Sequence, residues 1–224
     1  MMLEWDWNYT WEILPILGEA SLVTIKATLL GFLLAAALGL VFALLRMSRV
    51  RYVRWIATAV IEFIRSTPLL IQIFFLYYVM PEFGLSLDAM TAGVIALGVH
   101  YACYCSEVYR AGLDNVPKGQ WEAAIALNLS PFVTLRDIII PQAIPPVVPA
   151  LANYLVALFK ETPLLSAIAV LELMQTAKIL ASESFQYTEP ITLVGLYFLF
   201  FSLISAALSR QLEAWLSRRH GGTR

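Results

Sequence analysis

The chain has 224 residues, 60% of them hydrophobic and only 14% charged. A soluble domain averages about a quarter charged and under half apolar, so this composition excludes a soluble globular protein and marks an integral membrane one. A net charge of −1, with no basic cluster interleaved with aromatics, gives no footing for nucleic acid.

In chain order, the first fifteen residues are acidic and aromatic rather than basic, a poor signal peptide, and the first hydrophobic segment is expected to stay in the mature protein. The uncharged run Ala27 to Leu45 is long enough to cross about 30 Å of hydrocarbon. A second stretch, Ile56 to Met80, carries Glu62, Arg65 and Pro68, and Pro68 predicts a kink because it removes a backbone hydrogen bond. Ala89 to Ser106 is a third. A fourth runs from about Ile144 to Phe159, with a further piece from Leu164 to Leu173, and Ile191 to Ser209 is a fifth. Cys103 and Cys105, two apart in an apolar run, fall on different helix faces and read as small packing residues. With no linker, low-complexity tract or internal repeat, residues 1–224 form one membrane domain.

Basic residues set an expected orientation. Arg46, Arg49, Arg51 and Arg54 crowd the first connection; Arg110, Lys118 and Arg136 lie in the third; Arg210, Arg218, Arg219 and Arg224 follow the last span. The opposite side holds Glu4, Asp6, Glu12, Glu19, Glu82, Asp88, Glu183 and Glu189, with Lys178 the main basic exception. The positive-inside rule then puts the N-terminus outside and the C-terminus in the cytoplasm.

That orientation places Glu122 to Pro141 in the cytoplasm as a helix–turn–helix. Pro117 suits a first helical position, and Trp121, Ala124 and Ile125 share a face. Asn128 tolerates a left-handed stop, and Ser130-Pro131 restarts the chain as N-cap and first turn. A rigid polar knob beneath a membrane bundle reads as a docking piece for a soluble partner.

Inside the spans, Glu62, Arg65, Ser66 and Gln72 fall within about a third of one continuous helix's circumference. Ionised groups at that depth cost about 3 kcal/mol or more each and face a partner or a wet cavity. The stripe either pairs internally and packs the bundle or lines a solute passage. Asn153 and Lys160 share a face of the fourth span, ahead of an expected break at Glu161-Thr162-Pro163; they mark either a capped helix end with a snorkelling lysine or a solute site. His100, Tyr104 and Glu107 share a face of the third, where a structural hydrogen-bond role competes with solute contact. Together the stripes offer both charge signs, as a zwitterion requires.

The chain contains no GxxxxGK[ST] loop, HExxH, GxSxG or cysteine–histidine metal constellation, and its histidines are His100 and His220. It is therefore expected to be no enzyme and to hold no cofactor, with energy for active transport coming from another subunit or an ion gradient. A secondary transporter or passive channel, with Glu62 and Glu161 as mid-membrane carboxylates, is the alternative.

Several strings occur in an order that resembles the polar-amino-acid family of ABC-importer permeases. They are Glu62-Phe63-Ile64-Arg65-Ser66-Thr67-Pro68-Leu69-Leu70-Ile71-Gln72, Glu107 to Gly112, Val116 to Ala124, Pro141-Gln142-Ala143 with Pro149 and Asn153, and Lys160-Glu161-Thr162-Pro163-Leu164. The stretch of about 114–141 resembles the family's EAA loop, with Asn128 in place of its Gly and Ile140 in place of its Leu. The resemblance implies an all-α type I ABC-importer permease fold with five transmembrane helices and a cytoplasmic EAA coupling helix–turn–helix, in a bacterial inner membrane. Glu122, Ala123, Ala124, Asn128 and Pro141 would couple to the ATPase. Glu62, Arg65, Gln72, Tyr104, Asn153, Lys160 and Glu161 are the candidate solute pathway. Implied partners are two ABC ATPase subunits carrying ATP and Mg, a second permease subunit identical or homologous, an extracytoplasmic solute-binding protein and the lipid bilayer. The Lys-Glu-Thr-Pro-Leu variant looks most like permeases for ectoine and hydroxyectoine, so the expected solute is one of these or a polar amino acid.

Overall fold

The computed structural model describes residues 5–220, all of whose regular elements are helical. Glu4 and Arg224, counted above for orientation, lie outside the described residues, as do the side chains of Arg219 and His220.

Helix α1 (Trp7–Arg46) starts where the Asp6 carboxylate accepts the N–H groups of Asn8 and Tyr9. Its 40 residues extend about 60 Å at 1.5 Å each, twice the hydrocarbon thickness. The expected start near Ala27 is corrected by some twenty residues. The outer half carries Glu12, Glu19 and Lys26 yet stays helical because Ile13, Leu17 and Ala20 bury against Leu173, Ala177, Leu193 and Val194. Tyr197 locks the same contact through a hydroxyl bond to the Leu14 carbonyl, 3.1 Å.

The centre of the bundle is the seam between α1 and α4 (Ala89–Asp114). Lipid is as apolar as leucine, so helices here associate by close packing rather than by escape from water. Gly39 shows how close: a Cβ there would stand 2.7 Å from Cys105 Cβ and 2.9 Å from the Ala102 carbonyl oxygen. Cys103 and Cys105 are free and buried, as packing residues should be.

Helices α2 (Arg51–Ser66) and α3 (Leu69–Phe74) were expected as one kinked span, but they are separated by a bend of 102°. Thr67, before proline, is extended at φ −101°, ψ 137°. After α3 the chain continues through a π-helical stretch, Phe75–Val79, and a 3₁₀ turn closed by Gly84 at φ 84°. If the bent pair counts as one span, five segments among the described residues are long and apolar enough to cross a membrane.

Helix α5 (Lys118–Ala126) is capped at Pro117 and so starts one residue later than expected. Asn128 adopts the left-handed conformation at φ 54°, and Ser130 accepts the Val133 N–H at the start of α6 (Pro131–Val133). A widened π segment, Thr134–Ile139, leads directly into α7 (Ile140–Glu161). The second arm of the hairpin therefore does not stop at Pro141; it is the beginning of the fourth span, and the run is continuous from Pro131 to Ile168. The expected break at Thr162 is only a tightening into a 3₁₀ turn, Thr162–Ile168, because the Thr162 hydroxyl bonds the Phe159 carbonyl and Leu165 and Ile168 are buried. The actual stop is Ala169, left-handed at φ 58°. Buried Glu172 then caps α8 (Leu173–Ser184), accepting the N–H groups of Met174 and Gln175 at 2.9 and 2.8 Å. Finally α9 (Thr188–His220) extends the fifth span beyond Ser209.

Candidate functional site

Two regions hold the residues of interest: a polar and aromatic wall formed by α2, α4 and α7, and the α5–α7 hairpin.

The wall is organised by one carboxylate. Glu107 receives Arg46 from the end of α1, Arg65 from the end of α2 at 3.5 Å, and Arg110 at 3.0 Å. Arg110 reaches on to Asp114 at 2.7 Å, and Arg65 to Glu62 at 3.4 Å. Arg65 was expected inside one continuous span; ending α2 at the bend brings it beside Glu107 instead, two turns from the end of α4. Its guanidinium lies over the Tyr104 ring, 5.3 Å from the centroid. Arg46 had entered the sequence reading only as an orientation marker, and no local spacing joins it to Glu107, 61 positions away.

Gln72 leaves the expected stripe. Its amide nitrogen donates to the Ile64 and Thr67 carbonyls at 2.7 and 3.1 Å, so it caps the end of α2 from beyond the bend. Its amide oxygen, which only accepts, faces His100 Nδ1 at 3.2 Å and assigns the proton to that nitrogen. His100 thus pairs with Gln72 while its ring still meets Tyr104, and Arg65 links Tyr104 to Glu107, so His100, Tyr104 and Glu107 keep the shared face expected of them.

From Arg65 the wall continues as aromatic rings. Tyr104 meets Tyr154 at 5.6 Å and His100 at 5.4 Å, and Tyr154 meets Tyr101 at 6.3 Å. Tyr101 is in electrostatic contact with Glu161, whose Oε2 is buried and has no hydrogen-bond partner. Sequence reading singled out neither Tyr101 nor Tyr154; the signal available was their spacing from Tyr104 and Asn153. Asn153 and Lys160 are exposed on α7 and stand apart from this ring series. Chemically the wall offers a guanidinium suited to carboxylate and ring faces suited to a cation, with the buried Glu161 carboxylate behind Tyr101.

In the hairpin, Val116, Ile139 and Ala143 form a small core with Trp121 packed on it, and Ala124 is buried. Glu122, Ala123, Asn128 and Pro141 are exposed. Ile125 does not join Trp121 inside: it is 77% exposed and, with Leu127 and Phe132, makes an apolar tip. Among the described residues no group of three or more His, Cys, Asp or Glu side chains is placed to hold a metal ion.

The family model described as binding-protein-dependent transport system inner membrane component matches residues 28–218. The chain belongs to this permease family. A probable amino-acid ABC transporter permease protein of Sinorhizobium fredii is 44% identical, covering 95% of this chain and 97% of its own. The L-cystine transport system permease protein of Bacillus subtilis is 35% identical, over 91% and 89%. A crystal structure of an amino acid ABC transporter with histidines superposes at TM-score 0.89 with 32% identity, over 95% and 99%. The protein is therefore a membrane-embedded permease subunit of an amino-acid ABC importer, with the type I fold, and not an enzyme; ATP hydrolysis in such systems belongs to a separate subunit. Family membership also implies ATPase and binding-protein partners, and it sets aside the secondary transporter and the passive channel.

Proposed function

We propose that this permease forms the membrane pathway for a small zwitterionic solute and converts movement of a cytoplasmic ATPase into opening and closing of that pathway. The observation that carries the reading is the continuity of the hairpin with α7: the helix that starts in the exposed knob also bears Tyr154 and Glu161. A displacement of the knob moves the wall without an intervening hinge. Glu122, Ala123, Asn128 and Pro141 form the docking surface with the apolar tip, and Ala124 anchors it. The N-terminus is outside and the C-terminus cytoplasmic. Two ATPase subunits, each with ATP and Mg, two permease subunits and an extracytoplasmic binding protein complete the importer.

Arg65 takes the solute carboxylate, and the tyrosines with Glu161 take its cationic group. Gln72 shapes this pathway by holding the bend, while Glu62 balances Arg65; Asn153 and Lys160 serve on a separate face of α7. Relatives named for L-cystine and amino acids support an amino acid as the zwitterion; ectoine and hydroxyectoine share the charge pattern but lack that support.

Glu122→Lys tests the docking. Its helix-dipole contribution is about 0.3–1 kcal/mol, too little to unfold a bundle. The variant is expected to fold normally while losing uptake and the stimulation of ATP hydrolysis by solute. Normal uptake with fully stimulated ATPase would show that docking lies elsewhere.

A further inference from the structure

Helix α2 has three faces. Ala57 and Ile61 are buried against the bundle. Tyr52, Ile56, Val60 and Phe63, within about 80° of arc at 100° per residue, are exposed and apolar. The third face carries Arg51, Arg54 and, at the far end, Arg65. Arg65 turns inward to Glu107, as Arg46 does from α1. Arg49, Arg51 and Arg54 are exposed and form no ion pair among the described residues. Trp55, 70% exposed, lies between the charged and apolar faces.

The apolar face also leads somewhere. Phe63 borders a cavity of about 310 Å³ between α2, α3 and α4, walled by Ile64, Ile71, Phe75, Leu76 and Val99. From Arg54 to Phe63 is nine residues, roughly 13.5 Å along the helix, and one leaflet of hydrocarbon is about 15 Å deep. A ligand for this surface must carry an anion at one end and a hydrocarbon chain of one leaflet's length at the other. An acidic protein segment meets the arginines but not the strip beside them; a second permease meets the strip but leaves three guanidiniums unpaired.

We propose that Arg49, Arg51 and Arg54 bind the headgroup phosphate of an anionic phospholipid of the cytoplasmic leaflet. One acyl chain lies along Tyr52, Ile56 and Val60 and ends in the cavity beside Phe63. Because α2 also positions Arg65, the bound lipid steadies the pathway wall, and transport depends on the anionic lipid. The leaflet assignment rests on the orientation proposed above.

The full permease–ATPase complex, in nanodiscs of phosphatidylcholine with or without phosphatidylglycerol, provides the test. Lipid retained on the complex is measured by native mass spectrometry, alongside ATPase rate. Wild type is expected to retain phosphatidylglycerol over phosphatidylcholine and to run faster with it. The variant R49Q/R51Q/R54Q is expected to lose about ten-fold or more of that preference, as three surface cations should. The triple lysine variant, which keeps charge and helix, is expected to retain most of it, and Phe63→Ser to lower retention of both lipids alike. An unchanged preference in the glutamine variant would overturn the proposal. So would loss of the ATPase subunit from that variant in phosphatidylcholine alone, since the arginines would then serve the protein partner. Thiol labelling of Ser48→Cys from outside would instead overturn the orientation while leaving the lipid preference standing, so the two failures are distinguishable.

Discussion

Pro68 and the prolines of α7 sit in the same kind of hydrophobic segment and act in opposite ways. At Pro68 the helix ends and restarts 102° away. In α7, Pro145, Pro146 and Pro149 lie inside a helix that does not break. Proline removes one N–H and crowds the carbonyl four residues back, so in each case the surroundings decide whether the helix survives. Ahead of α7, the π segment Thr134–Ile139 widens the helix just before Pro141. At Pro68, Thr67 moves to extended backbone and bonds the Ile64 carbonyl through its N–H and hydroxyl, and Gln72 adds an amide donor to the carbonyls of Ile64 and Thr67. A bend becomes permanent when a side chain satisfies the groups it exposes; without one, the helix holds. In the proposed mechanism the bent segment serves as a wall and the straight one as a strut.

The largest effect should come from breaking the strut. Ile140→Gly with Ile144→Gly changes two exposed positions and costs about 1 kcal/mol of helix propensity each. Uptake should fall at least about ten-fold, the scale of a 1.4 kcal/mol penalty on coupling, while the ATPase still co-purifies. Uptake near wild type would mean that rigidity of α7 is irrelevant. Next is Gln72→Leu, which takes the amide donor from the Thr67 carbonyl at about 1–3 kcal/mol, while the Ile64 carbonyl keeps the Thr67 N–H and hydroxyl. A thermal melt several degrees lower is expected, and an unchanged melt would assign the bend to Pro68 alone. Smaller still is the contrast between Pro68→Ala and Pro149→Ala. The first should reduce uptake a few-fold at most, because Gln72 and buried Leu69 and Ile73 still hold the bend; the second should leave uptake and melting near wild type. Substantial unfolding by Pro149→Ala would show that this proline shapes the strut.

The smallest effect sets a control on α4, against which both segments pack. Asp88 caps α4, and bonds from Thr91 hold its carboxyl below the ordinary carboxylate value. A lowered folded value means the cap stabilises fully above the ordinary carboxylate range. That contribution is lost as pH falls through the depressed value. Asp88→Asn should keep the cap and remove this pH dependence, whereas Asp88→Ala should lower stability slightly at neutral pH. A pH-dependent melt unchanged in Asp88→Asn would disprove the capping account.

What could be read from the chain follows physical range. Asn128 at a left-handed stop and Ser130 as a cap are local, and both were legible. Hydrophobic runs located every span but not its ends: α1 begins twenty residues early because the α8 and α9 contacts of its outer half are invisible to hydropathy. Pro68 announced a kink, but its size depends on Gln72, four residues on, whose side chain a periodicity argument had placed on the solute face. Likewise Thr162-Pro163 resembled a break, and only burial of Leu165 and Ile168 shows why the chain stays helical there. The Glu107 hub joins positions 46, 65, 107 and 110, and no spacing rule brings Arg46 to it.

The central claim, that the α5–α7 knob lies in the cytoplasm and docks the ATPase, is tested most directly by thiol accessibility at Ile125→Cys. The position is 77% exposed at the tip, and Cys103 and Cys105 are buried. With a membrane-impermeant reagent, labelling is expected in inside-out vesicles stripped of the ATPase, absent from intact spheroplasts, and suppressed when the ATPase is restored. Labelling from the outer face, or labelling that bound ATPase leaves unchanged, would contradict the account.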